Sequence, residues 1–96
     1  VQSTNIEEEN YSSNLMVFPN PTSGKVNLKF SINKEANTSI IIKDLSGKII
    51  TNIEKGNLLP GSYSEEINLS NIAKGIYFYE LKTNEFSKNG KIVLTK

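Results

Sequence analysis

The chain contains no cysteine, histidine, tryptophan or arginine, and Asp44 is its single aspartate. The missing cysteines remove disulfides, thiol nucleophiles and thiolate metal ligands, and they leave the redox compartment open, since a chain that needs no disulfide folds in either. The missing histidines remove the side chain best suited to proton transfer near neutral pH, which is also the commonest metal ligand. The usual base for a serine nucleophile goes with them, and no serine stands in a G-x-S-x-G elbow. Eleven Lys against ten acidic residues give a net charge of only +1. Phosphate and guanine recognition relies on a basic excess and on the arginine fork, so nucleic acid is not the expected partner. The lack of tryptophan disfavours a glycan groove built by ring stacking. No apolar run comes near the roughly 20 residues of a membrane-spanning helix.

What remains fits one domain, because 96 residues build one hydrophobic core and not two. Val1 to Asn14 is polar and acidic, with Glu7, Glu8 and Glu9 in a row and few apolar side chains to dock it, and is expected to be a flexible linker. The start at Val1 without a signal peptide is that expected of a piece of a longer precursor. From Leu15 to Lys96 short β-branched runs alternate with Gly, Pro, Asn and Ser, the pattern of an all-β domain.

The runs can be placed. Leu15 to Phe18 is a short strand stopped by Pro19-Asn20-Pro21, and Thr22-Ser23-Gly24 completes the turn. Val26, Leu28, Phe30 and Ile32 alternate with polar residues and share one face of a second strand. Ile40, Ile41 and Ile42 predict a third, buried on both faces or lying at an edge under a loop. Asp44-Leu45-Ser46-Gly47 reads as a type I turn leading into a hairpin strand from Lys48 to Ile53, and Pro60-Gly61 as a turn of type II character. Ser62 to Leu69 alternates again, Ser70 to Gly75 reads as one capped helical turn ended by a left-handed Gly75, and Ile76 to Thr83 is the next strand. Phe86 to Lys96 is the last, with its turn at Asn84-Glu85 and a bulge at Gly90. Seven strands of this length predict an Ig-like antiparallel β-sandwich.

Residues able to carry chemistry are few. Asp44 is explained by its turn, and Glu65 and Glu66, adjacent on a strand, point to opposite faces and cannot act as a facing pair. No catalytic residue, metal ligand or cofactor-binding residue is expected. Tyr77, two residues past Gly75, stands where sandwich domains place a tyrosine whose hydroxyl bonds back to the upstream backbone.

Three motifs stand in order: Val17-Phe18-Pro19-Asn20-Pro21-Thr22-Ser23-Gly24-Lys25-Val26, Ile42-Lys43-Asp44-Leu45-Ser46-Gly47-Lys48-Ile49, and Leu69-Ser70-Asn71-Ile72-Ala73-Lys74-Gly75-Ile76-Tyr77-Phe78. With the closing Lys91-Ile92-Val93-Leu94-Thr95-Lys96 they resemble the type A C-terminal sorting domain of the type IX secretion system. The chain departs from that pattern at Lys48, where the family often has Arg, and at Asn89-Gly90, which interrupts a usually continuous final strand. The resemblance implies a Bacteroidota protein whose N-terminal cargo reaches the periplasm and then crosses the outer membrane. It implies as partners the type IX translocon, an outer-membrane shuttle protein, and a sortase-like cysteine peptidase that cuts in or upstream of Val1 to Asn14. The cargo is then expected at the cell surface, joined to an anionic lipopolysaccharide, or in the medium.

Two readings of the last strand stand side by side. In one, Lys91, Ile92, Val93, Leu94 and Lys96 form a free edge that pairs with the secretion machinery, Ile92 and Leu94 filling alternate pockets. In the other, Ile92 and Leu94 are core residues. The competing function is a carbohydrate-binding or adhesive β-sandwich module, which the fold alone permits equally.

Overall fold

The structure is a computed structural model that describes residues 15–95; the expected linker and Lys96 lie outside the described residues. Seven strands follow one another: β1 (Met16–Phe18), β2 (Lys25–Ile32), β3 (Ala36–Lys43), β4 (Ile49–Leu58), β5 (Gly61–Asn68), β6 (Gly75–Thr83) and β7 (Ser87–Leu94). They form two antiparallel sheets, β1-β2-β5 and β4-β3-β6-β7. This is an Ig-like β-sandwich whose fourth strand joins the sheet of the third, sixth and seventh rather than the opposite one, as in constant-type domains. The β1-β2, β3-β4 and β6-β7 pairs join consecutive strands, while β2-β5 and β3-β6 pair across the sequence.

Alternation builds the core. Val26, Leu28, Phe30 and Ile32 from β2 face Ile40 and Ile42 from β3, Leu81 from β6, and Ile92 and Leu94 from β7, all buried. Phe30 and Tyr63 stack across the β2-β5 pair with ring centroids 5.7 Å apart. β3 is a central strand rather than an edge, and it buries one face, since Ile41 on the other stays half-exposed.

Strand β4 runs five residues beyond its expected end at Ile53, because two bulges absorb its irregular pattern. One leaves Ile50 as the extra residue, turned onto the core while Ile49 remains exposed. The other leaves Lys55 extra beside Gly56, whose φ of 74° suits glycine, and Lys55 Nζ reaches Glu65 Oε1 on β5 at 2.7 Å. That ion pair bridges the edges of the two sheets.

The last hairpin turns at Asn84-Glu85, as its sequence predicts. The Thr83 hydroxyl accepts from the Glu85 and Phe86 amides at 3.0 Å each, a cap that Asn89-Gly90 has no counterpart for. The expected bulge at Gly90 is absent: β6 and β7 pair without a register shift from Gly75↔Leu94 to Lys82↔Ser87. Gly90 is instead required by its partner, Tyr79, whose ring folds over it so closely that a Cβ there would lie 2.3 Å from the Tyr79 hydroxyl. The same burial pushes the Tyr79 phenol pKa up. Replacing a strand glycine by alanine ordinarily gains about 0.5–1 kcal/mol. Here Gly90→Ala is expected to cost about 1–3 kcal/mol through overpacking, and the loss should shrink in a Tyr79→Leu background, as a double-mutant cycle by denaturant melts will measure.

The segment from Ser70 to Gly75 is not a helical turn. Asn68 Oδ1, rather than Ser70, makes the cap by accepting from the Ser70 amide at 2.9 Å, and a tight turn closes from the Ile72 amide to the Leu69 carbonyl at 3.3 Å. Gly75 keeps a positive φ, 148°, that a side chain there would resist, but it already belongs to β6 rather than ending a helical turn.

Candidate recognition site

The three motifs are far apart in sequence and meet at one end of the sandwich. The first lies against the last strand. Residues 91, 93 and 95 of an antiparallel strand turn their backbone groups away from β6, toward what would be an open edge. Asn20 covers half of it: its Nδ2 donates to the Lys91 carbonyl at 2.8 Å and its Oδ1 accepts from the Val93 amide at 3.0 Å, so one side-chain amide stands in for a backbone peptide. Thr22 covers the other half. Its amide donates to the Val93 carbonyl at 2.8 Å, and its carbonyl accepts from the Thr95 amide at 2.7 Å, forming a parallel bridge to Leu94.

Pro19 and Pro21, each preceded by a cis peptide bond, flank Asn20, and Thr22 is itself buried. The Thr22 hydroxyl donates to the Lys25 carbonyl at 2.6 Å and accepts from the Gly24 amide at 3.1 Å, holding the turn that sends the chain into β2. This segment therefore ties the three-stranded sheet to the four-stranded one.

The free-edge reading of the last strand is corrected by this arrangement. From the Lys91 carbonyl to the Thr95 amide the outer edge of β7 is occupied from within the chain. Ile92 and Leu94 are 0% and 2% exposed and belong to the core, so neither fills a partner's pocket in the folded domain. Lys91 and, in part, Val93 remain open to solvent on the outer face of the sheet.

The second motif is a tight turn organised by Asp44. Its Oδ1 accepts from the Ser46 amide at 2.9 Å, the Ser46 hydroxyl at 2.7 Å and the Lys48 amide at 3.0 Å, while the Gly47 amide closes on the Asp44 carbonyl at 3.0 Å. Gly47 takes a φ of 91°, which a side chain there would resist. The Ser46 hydroxyl, then the Lys48 amide, hold the Asp44 carboxyl below its ordinary pKa. A depressed carboxyl stabilises the fold above its unfolded value of 3.8 and loses that contribution as pH falls through its folded value. Asp44→Ala is thus expected to lower Tm at pH 7, with the gap from wild type closing in melts below pH 3.8.

The third motif joins the other two. The Leu69 amide donates to the Gly24 carbonyl at 2.7 Å, and a Cβ at Gly24 would touch Ser70 Cβ at 3.4 Å. Tyr77 is buried and its hydroxyl donates to the Ala73 carbonyl at 2.6 Å, pinning the turn to the strand that follows. Tyr77→Phe removes that bond without altering packing and should cost about 1–2 kcal/mol in a chemical melt; an unchanged midpoint would show the hydroxyl to be idle. Asp44, Leu45 and Ser46 line one shallow groove of about 300 Å³ together with Lys74, Ile76 and Tyr77.

Of the residues singled out in the sequence, Pro19, Asn20, Pro21, Gly24, Asp44, Gly47, Gly75 and Tyr77 thus gather at the end where β7 finishes. Thr22, which the sequence gives only as part of the turn, is a further member of this end, and its burial and partners follow from the fold. Among the described residues no group of three or more acidic side chains is placed to hold a metal ion. Among the described residues no helix is long and apolar enough to cross a membrane.

The fold is a small antiparallel β-sandwich whose motif end is held together by hydrogen bonds and strand pairing. The secretion system C-terminal sorting domain is the family whose model matches, over residues 16–95, and the chain belongs to it. No curated protein and no solved structure matches the chain. The chain accordingly carries a type IX secretion sorting signal, a domain that implies a cargo and passage through the outer membrane of a Bacteroidota cell to its surface or beyond.

Proposed function

We propose that residues 15–96 act, as a folded unit, as the address of an N-terminal cargo, read by the type IX translocon at the end of the sandwich where the three motifs meet. The observation that carries this reading is the convergence itself. Hydrogen bonds tie the segment around residue 20 to Lys91–Thr95 and, through Gly24 and Leu69, to the third motif, while the Lys43–Phe78 pairing sets the Asp44 turn beside residue 75. A shared local turn preference explains each motif singly but not their meeting at the last strand. The domain contributes shape and surface, and the secretion machinery supplies the work.

Later steps follow from the same reading. A sortase-like cysteine peptidase cuts in or upstream of the polar Val1–Asn14 stretch, an outer-membrane shuttle protein receives the product, and the cargo is joined to an anionic lipopolysaccharide or released. The test fuses Val1–Lys96 to the C-terminus of a periplasm-targeted fluorescent protein in a type IX-secreting bacterium and in a strain lacking the translocon. Fluorescence at the surface or in the medium of the first strain alone is the expected result. Periplasmic retention in both would overturn the reading in favour of an adhesive module.

A further inference from the structure

The outer face of the four-stranded sheet carries an apolar patch at the motif end that no described residue covers. Among the described residues seven large apolar side chains are exposed, and Leu45, Ile49, Ile76 and Phe78 are four of them. Ile76 and Phe78 are neighbours on one face of β6, Leu45 shares a groove with Ile76, and Ile49 stands one strand further, across Lys43. Ile49 pairs with Lys43 across β4-β3, Lys43 with Phe78 across β3-β6, and Phe78 with Lys91 across β6-β7. One row further toward the motif end, Ile76 pairs with the half-exposed Val93, and Leu45 and Ile76 flank the same groove. Alternation alone requires none of this, because an outward β6 position beside solvent is ordinarily polar. Exposed apolar residues gathered in one place mark an interaction surface, whereas scattered ones do not.

Lysines outnumber carboxylates around the patch. Lys74 and Lys91 border it, and Lys43 stands within it between Ile49 and Phe78. Of the acidic groups beside it, Glu80 is paired with Lys43 at 3.7 Å, and the exposed Asp44 carboxylate accepts from the Ser46 and Lys48 amides. The face therefore presents apolar side chains inside a cationic border, although the whole chain carries a charge of only +1. A second copy of the domain would set lysines against lysines and is disfavoured. A flat sheet face with four apolar anchors suits another folded surface better than the interior of a bilayer, which amphipathic helices enter more deeply.

We infer that this face, centred on Leu45, Ile76 and Phe78, docks on a protein surface of the secretion machinery that presents apolar side chains within an acidic border. The inference rests on the sorting function and specifies where, and by what chemistry, the folded domain is read. It also assigns distinct roles to neighbouring residues: the Asn20 and Thr22 ties hold the face in shape, and the exposed side chains make the contact.

The test uses the fluorescent fusion of Val1–Lys96 with two double variants, Leu45→Ser with Phe78→Thr, and Lys74→Glu with Lys91→Glu. Controls are Leu59→Ser and Lys29→Glu, both exposed and away from the patch, and the conservative pair Lys74→Arg with Lys91→Arg. All are surface changes, and Tm of the purified domains should stay within about 3 °C of wild type. Both patch variants are expected to lower the exported fraction by about tenfold or more and to accumulate in the periplasm, while the controls and the Arg pair export as wild type. Wild-type export of folded patch variants would overturn the docking face and leave the sorting function standing. Failure of the unaltered fusion to leave the periplasm would overturn the sorting function as well. Sedimentation of the purified domain with phosphatidylglycerol vesicles, abolished by the Lys→Glu pair, would reassign the face to the membrane.

Discussion

Ile92→Ala is expected to lower the free energy of unfolding by about 2–5 kcal/mol, the usual cost of truncating a fully buried aliphatic side chain. Ile92 is 0% exposed and packs with the residues of both sheets, on the seventh strand of the described residues. A domain of this size has a stability on the order of 5–10 kcal/mol, so the variant sits near the edge of folding at 37 °C. Urea melts followed by tyrosine fluorescence will measure the change, and a loss below 1 kcal/mol would show that the site collapses around the cavity. The same burial bears on any truncation of Lys91–Lys96. Such a deletion removes Ile92 and Leu94 from the core together with the partners of Asn20 and Thr22. Loss of secretion in it would report unfolding as readily as loss of recognition, so point changes at exposed positions are the informative ones.

Asn20→Ala is expected to cost about 1–3 kcal/mol and to make the domain self-associate. Two hydrogen bonds are lost, at 2.8 and 3.0 Å, and their backbone partners on β7 are bared. The strand from Ser87 then presents a longer open edge, which is the template on which other strands pair. Asn20→Asp should fall short of wild type too, because a carboxylate accepts from Val93 but repels the Lys91 carbonyl. Sedimentation velocity at rising concentration will show the association. An Asn20→Ala variant that melts with wild type and stays monomeric would remove the clamp from consideration.

Much of this fold is written in local pattern. The alternation of Val26, Leu28, Phe30 and Ile32 names a strand and its buried face at once, and Asp44 with Gly47 names its turn, because each depends on residues a few positions apart. What is not legible depends on partners distant in sequence. Gly90 reads as a bulge until Tyr79 is seen to lie on it, and Asn20 reads as part of a proline turn until Lys91 and Val93, 71 and 73 residues away, take its amide. The end of β4 was hidden for a similar reason, since its bulges follow from pairing with β3 and from the reach of Lys55 to Glu65. At the candidate site, the three motifs can be recognised one by one in the sequence. Their meeting at a common end, and the apolar face beside them, come from the two crossovers that place β6 between β3 and β7.

Amide hydrogen exchange at Val93 and Thr95 tests the central claim most directly, namely that the Asn20–Thr22 segment closes the last strand and joins the motifs into one folded site. Both amides face away from β6 and are held only by Asn20 Oδ1 and the Thr22 carbonyl. The expected result is protection close to that of Ile92 and Leu94, which pair with β6, and selective loss of the Val93 protection in Asn20→Ala while Ile92 and Leu94 keep theirs. Exchange of Val93 and Thr95 in the wild type at the rate of open edge amides would contradict the clamp, and with it the meeting of the first motif and the last strand.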